Sequence, residues 1–470
     1  MAREKKTTTP ATPQARLRSA IDSARRIMRK DAGLNGDLDR IPQLAWLLFL
    51  KAFDGIEQER MLLNQDYDLA IQPPFRWQDW AADAIDGPTG PGLLSFVNDE
   101  LFPYLRDLAG NEGSDGDARD VLATVFKETY NRFLSGYLLR DVINEVNKID
   151  FTSSDDIHTM ALLYESMLRE MRDAAGDSGE FYTPRPVIRF MVQMVDPRLG
   201  EVVLDPACGT GGFLIEALEH LRPQVSTIAE REQLERNLRG VEKKPLPYLL
   251  GMMNLLLHDV DRPNLQRDNA LKRPLRELKR ADKVEVILTN PPFGGEEERS
   301  IINGFPPATQ TAETAWLFLQ LVQRLLNDRG RCAVVVPNGV LFSDGVGAKI
   351  KADLLRSCNV HTIVRLASGA FAPYTDIPSN LVFFDKTGPT GDIWLYEIPP
   401  PDGRKKYSKT RPMQFEEFAD CLAWWGGSAR ANRVETERAW KVTIADVEAD
   451  GWNLDRKNPN RADEIGRAHV

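Results

Sequence analysis

A doubly wound α/β sheet preceded by an α-helical domain is the fold this sequence predicts, and three observations carry that reading. Apolar residues recur at helical spacing through the first third of the chain. Short β-branched runs then alternate with helices, the mark of a largely parallel sheet. A glycine-rich turn follows the first of those runs, as it does where such a sheet holds a ligand at its carboxyl edge.

The elements follow in order. Residues 1–15 are read as a disordered basic arm: the first 30 residues hold nine Lys/Arg against two Asp/Glu, a net of +7 that leaves −16 for the rest. Such a run suits either a DNA-contacting arm or a solvated tail entering a helix. Residues 16–171 read as the helical domain, with three- and four-residue spacing in IPQLAWLLFLKAFDGI and DVLATVFKETYNRFL and breaks at DGPTGPG and GNEGSDGD. Trp46, Phe49 and Phe53 fall on one face of the first segment and are expected in its core.

The α/β domain is placed at 172–390. Its strands are expected at 202–206, 238–242, 284–290, 332–337, 361–367 and 380–385, with a possible third strand ending before Asp268. Helices are expected at 213–221, 246–258, 315–328 and 347–358. A loop joins the last two strands, which makes that pair antiparallel. Residues 391–470 form a small Trp-rich extension, and it is expected to be truncated. Its last seven residues, EIGRAHV, match one reading-frame translation of a common sequencing-adapter sequence, so the natural chain is expected to continue past Asp463.

Composition excludes several classes. At 470 residues, with 42% hydrophobic and 27% charged residues, the chain reads as globular and multidomain. No apolar stretch approaches the length of a membrane span and no secretory signal is visible, so a cytoplasmic protein is expected. Cys208, Cys332, Cys358 and Cys421 stand far apart without a C-x-x-C pair, which argues for reduced thiols and against a zinc site. A net charge of −9 is the wrong sign for gripping nucleic acid with the whole surface. A second basic run, LKRPLRELKRADK at 271–283, fits either a DNA-facing segment or a solvated helix face.

Chemistry concentrates in three segments. In VVLDPACGTGGF, a strand ends in Asp205 and turns through Ala207, Gly209, Thr210, Gly211 and Gly212 into a helix, so that a ligand can lie against bare backbone. No G-x-x-x-x-G-K-[ST] is present, and triphosphate cradling is therefore unsupported. Glu242, at the end of the next strand, suits the hydroxyls of a ribose, and Asp268 with Asn269 suits an adenine amino group. The Pro-Leu-Pro that follows Glu242-Lys243-Lys244 departs from a simple helix start. In ILTNPPFGG, Asn290 leaves a strand and is followed by Pro291, Pro292 and Phe293. The Asn290 side-chain oxygen and the Pro291 carbonyl can both accept from one amino group, while Phe293 stacks on a planar base and keeps water away.

These segments resemble the amino-methyltransferases: DPACGTGGF looks like their S-adenosylmethionine motif and NPPF like their catalytic motif. With GEFYTPRPVIRFMV ahead of the cofactor turn and FAPYTDIPSNLVFF after the catalytic loop, the chain resembles the modification subunits of type I restriction systems over about residues 15–390. The resemblance implies a Rossmann-like S-adenosylmethionine-dependent methyltransferase fold and transfer of methyl to the N6 amino group of a flipped-out adenine. It places cofactor contacts on Glu180, Phe181, Tyr182, Thr183, Pro184, Arg185, Asp205, Thr210 to Gly212, Glu242 and Asp268, and catalysis on Asn290, Pro291 and Phe293. No metal is implied. The expected partners are double-stranded DNA and a specificity subunit binding two copies of this chain; the sequence leaves open whether a restriction subunit carrying nuclease and translocase functions accompanies them. A non-catalytic cofactor-binding scaffold, or a methyltransferase of RNA or of protein glutamine, are the competing readings; the latter relatives usually carry Tyr where this chain has Phe293.

Overall fold

The computed structural model describes residues 13–108, 118–127, 129–149, 183–372, 375–408 and 410–460. The expectations for Glu180, Phe181 and Tyr182, for the GNEGSDGD break and for EIGRAHV lie outside the described residues. Two compact units emerge: one holds the described residues of Met1–Gly176 with Met252–Pro263, the other those of Asp177–Gly251 with Asn264–Val470.

The first unit is helical. Helix Pro13–Met28 starts inside the expected arm, so residues 13–15 are helical. Helix Asp37–Leu63 contains the whole IPQLAWLLFLKAFDGI stretch and buries Trp46, Phe49 and Phe53, each at most 2% exposed. Edge-to-face contact of Trp46 with Phe102, ring centroids 5.1 Å apart, ties that helix to Phe102–Arg106. Helix Ala118–Phe126 stops before the expected end of its apolar pattern, leaving Tyr130 and Leu134 exposed.

The second unit is built on a nine-stranded sheet in the order β3-β2-β1-β4-β5-β7-β6-β8-β9. The strands are β1 Val203–Asp205, β2 Leu238–Glu242, β3 Asn264–Arg267, β4 Val284–Thr289, β5 Leu326–Pro337, β6 Asn359–Leu366, β7 Ser379–Asp385, β8 Asp392–Ile398 and β9 Ala439–Thr443. Strands β1 to β5 are parallel, and β7 runs antiparallel between β5 and β6, as the helix-free β6–β7 connection required. All six firmly expected strands and the possible third are present.

Alternation along β7 shows the layering. Val382 and Phe384 join the cluster formed with helices Thr314–Leu325 and Val346–Ser357, while Phe383 points the other way, 6.0 Å from the Phe190 ring of helix Arg185–Val195. Both faces of the strand are buried, which explains its unbroken apolar run.

Two expectations need correction. The boundary at 390 falls inside this sheet, because β8 pairs in parallel with β6 and β9 pairs antiparallel with β8. The Pro-Leu-Pro after Lys244 is a helix start after all: helix Pro245–Leu257 begins on Pro245, where the missing N–H costs nothing and the fixed φ favours the first turn.

Candidate active site

Strand β1 sits between β2 and β4, so the chain winds away from it on both sides and opens a crevice at the carboxyl ends of β1 and β4. Asp205 stands at one lip of that crevice and Asn290 at the other. Register pairs Leu204 with Ile287 across the two strands.

The turn after β1 folds as its composition dictates. Gly209 and Gly211 take φ of 52° and 78°, the left-handed region where a Cβ is strained. Gly211 donates to the Cys208 carbonyl at 2.8 Å and stands immediately ahead of helix Gly212–Leu221. The result is bare backbone facing the strand ends at the start of a helix.

Asp205 is 1% exposed and accepts at one oxygen from the Thr289 hydroxyl, 2.7 Å, and from the Ala207 N–H, 3.1 Å. Burial pushes its pKa up to about 7; the two hydrogen bonds pull it down and the nearby Glu242 raises it. Glu242 is likewise buried, and burial raises its pKa too. Its two oxygens accept from the Gly209 N–H at 2.9 Å and the Lys244 N–H at 2.7 Å. One carboxylate thus ties the glycine turn to the end of β2, with lone pairs to spare for a ligand. Glu242 pairs with Arg267 in the β2–β3 register, which brings Asp268 to the neighbouring strand end. Asp268 is half exposed and bonds the N–H of Asn269 at 2.8 Å.

Asn290 leaves β4 with its amide nitrogen donating to the Thr183 hydroxyl at 2.9 Å. That bond fixes the direction of the amide, and its other end, Oδ1, is buried with no partner. A buried acceptor without a donor is costly, so this oxygen marks a place where a donor belongs. Pro291 and Pro292 add no donor of their own. The Phe293 ring meets Phe371 at 6.1 Å and 66°, edge to face, so the FAPYTDIPSNLVFF segment steadies it. Thr183, Pro184 and Arg185 open helix Arg185–Val195 and so approach the same crevice through Thr183.

The sequence did not disclose three groups. Thr289 holds Asp205. Thr314, 7% exposed, donates its hydroxyl toward the carbonyls of Pro292 and Gly294 at 3.4 and 2.9 Å. Glu297 accepts from Lys243 and Asn269. Each is a lone polar residue outside any recurring spacing, and only the packed sheet brings it to the motif it serves. The second basic run is not a helix face: it contains short 3-10 turns at Leu275–Glu277 and Arg280–Asp282, and ahead of them Arg273 pairs with Asp282 at 2.7 Å and Lys272 with Asp268 at 3.5 Å.

The chain is similar to known proteins over nearly its whole length. The N-6 DNA Methylase family matches residues 155–467, and the HsdM N-terminal domain family matches residues 17–146. The type I restriction enzyme EcoEI methylase subunit of Escherichia coli is 50% identical over 454 residues, 96% of this chain and 91% of that protein. The EcoKI methylase subunit of Escherichia coli strain K12 is 28% identical over 435 residues, 87% of this chain and 76% of that protein. A solved structure assigned as a modification subunit of a type I restriction enzyme from Vibrio vulnificus YJ016 has a TM-score of 0.87 at 54% identity, with 97% of this chain and 99% of that one covered.

Proposed function

The chain belongs to the methylase subunits of type I restriction enzymes, N6-adenine DNA methyltransferases, and from that premise we propose which of its residues do the work. Neither a non-catalytic scaffold nor a methyltransferase of RNA or protein glutamine finds support in these relatives.

The family depends on S-adenosylmethionine, which when bound supplies an activated methyl on a sulfonium. The residues fit that ligand: the bare backbone of Gly209 and Gly211 admits close approach, and Glu242 and Asp268 offer acceptors at successive strand ends to ribose hydroxyls and the adenine amino group. Thr183 to Arg185 would flank the methionine end.

The observation that carries the catalytic reading is the buried, unpartnered Oδ1 of Asn290. A target adenine must leave the duplex stack to reach it. Oδ1 and the Pro291 carbonyl would accept hydrogen bonds from the two amino N–H groups, which concentrates the lone pair on nitrogen and stabilises the charge it gains as the N–C bond forms and the methyl–sulfur bond breaks, the electron pair staying on sulfur; loss of one N–H proton then returns the amine to neutrality. Phe293 stacks on the base and excludes water. Thr183, by holding the amide nitrogen, keeps the acceptor end pointed at the base.

Sequence choice we assign to a separate specificity subunit that takes two copies of this chain, with a restriction subunit joining the complex, all in the cytoplasm with the DNA. Among the described residues no helix is long and apolar enough to cross a membrane. The test is transfer of labelled methyl from S-adenosylmethionine to duplex DNA by the complex with its specificity subunit. Wild type should label adenine N6, and Asn290→Ala should label it far more slowly. Label on another atom or macromolecule, or undiminished transfer by the variant, would overturn the reading.

A further inference from the structure

The loop that carries Asn290 does not end at Phe293. Seven residues after Asn290, Glu297 turns back toward the sheet with its side chain only 6% exposed. Its carboxylate accepts from the Lys243 ammonium at 3.0 and 3.3 Å and from the Asn269 amide nitrogen at 3.2 Å. Lys243 directly follows Glu242 and Asn269 directly follows Asp268, so one side chain bonds the immediate neighbours of both acids that edge the ligand pocket. Its backbone is pinned on the other side, where the Glu297 N–H donates to the Ala312 carbonyl at 3.0 Å and Glu296 bridges Glu313. Thr314 then holds the carbonyls of Pro292 and Gly294. The ends of β2 and β3 and the loop after β4 are therefore joined through one carboxylate.

We propose that Glu297 is a positioning residue that transmits cofactor occupancy at the β2 and β3 ends to the catalytic loop after β4. The proposal rests on the assignment of that pocket to S-adenosylmethionine. A ligand that draws Glu242 and Asp268 into fixed positions also fixes Lys243 and Asn269, and through them Glu297 and the loop. Coupling of this kind is reciprocal: the factor by which cofactor tightens base extrusion equals the factor by which extruded DNA tightens cofactor. Because Lys243 is 59% exposed and its bond is screened, the Asn269 leg and the buried carboxylate carry most of the tie.

The experiment uses the full complex with its specificity subunit and duplex DNA bearing 2-aminopurine at the target adenine, with S-adenosylhomocysteine as the cofactor probe. Fluorescence reports base extrusion, calorimetry reports probe affinity with and without DNA, and single-turnover methylation on unmodified DNA reports the rate. For Glu297→Ala, probe affinity without DNA should change less than about threefold. The coupling factor should fall toward one, a loss on the order of 2- to 30-fold, with a matching fall in single-turnover rate. Glu297→Gln keeps an acceptor for Asn269 and should recover part of the coupling, and Lys243→Met should cost less than Glu297→Ala. Wild-type coupling in Glu297→Ala, or equal losses of probe affinity with and without DNA, would overturn the proposal. A wild-type complex that binds no probe would overturn the pocket assignment instead, and the control separates the two.

Discussion

At the scale of single residues, Asn290 and Asp205 make different demands on solvent and charge. On the role proposed for it, the Asn290 acceptor matters most as positive charge develops on the amine, so Asn290→Ala should lower the single-turnover rate by about 2–4 kcal/mol of barrier, by analogy with losing an oxyanion-hole donor. Cofactor affinity, measured by calorimetry, should barely move. Asp205 is a titration problem. Its pKa rises from an ordinary 3.8 to about 7, so between those values the folded chain holds a proton that the unfolded chain has released. Its contribution to stability therefore declines as pH climbs from about 4 to about 7 and is level above. On the pocket assignment proposed above, cofactor binding should run the opposite way, because a ligand carrying a sulfonium favours the ionised carboxylate. Affinity for S-adenosylmethionine should strengthen from pH 6 to pH 8 with release of a proton, read from binding heats in two buffers. Asp205→Asn should flatten that profile, and an unchanged profile in the variant would remove Asp205 from the account.

At the scale of elements, the catalytic loop is held by its neighbours, and Thr314 at the start of its helix is the nearest of them. Thr314→Val removes the hydroxyl that serves the Pro292 and Gly294 carbonyls and leaves them short of a donor. Stability should fall by about 1–3 kcal/mol and methylation rate with it, while Thr314→Ser should restore both. Thermal unfolding beside single-turnover kinetics checks the pair. What was legible at this scale follows from physics. Strands β1, β4, β5, β6 and β7 announced themselves through apolar, largely β-branched runs, β2 and the possible β3 more weakly, and the glycine turn and the Asn-Pro-Pro-Phe loop through local spacing. Strands β8 and β9 lay beyond the boundary expected at 390: β8 joins the sheet through β6, and β9 pairs with β8 although 40 residues separate Ile398 from Ala439, a pairing that leaves no local pattern. Strand β5 begins at Leu326, inside the expected helix 315–328, because helix Thr314–Leu325 ends there. Arg329 then takes a φ of 64° and donates its N–H to the Lys386 carbonyl, a partner 57 residues on. Thr289, Thr314 and Glu297 were silent for a related reason: their partners are distant in sequence, Asp205 on β1 for Thr289, the Pro292 and Gly294 carbonyls for Thr314, and Lys243 and Asn269 just past β2 and β3 for Glu297.

At the scale of the whole molecule, charge decides how the chain meets DNA. A net of −9 leaves little non-specific attraction to phosphate. The second basic run is partly spent on Asp282 and Asp268, and two arginines of helix Pro13–Met28 are also engaged, Arg25 with Asp37 and Arg26 with Ser23. The chain alone should therefore bind duplex DNA at physiological salt no better than the roughly 10⁻⁴–10⁻⁶ M of non-specific association. With its specificity subunit it should reach about 10⁻⁸ M or tighter on the cognate site, in a complex whose native mass counts two copies of this chain. The two states should also differ in salt dependence. If the specificity subunit supplies most phosphate contacts, the slope of log affinity against log salt will steepen sharply on assembly, by about 0.9 for each phosphate neutralised. Gel-shift titrations across a salt series measure both quantities. Tight, sequence-selective binding by the isolated chain would place recognition in this subunit and reverse the division of labour.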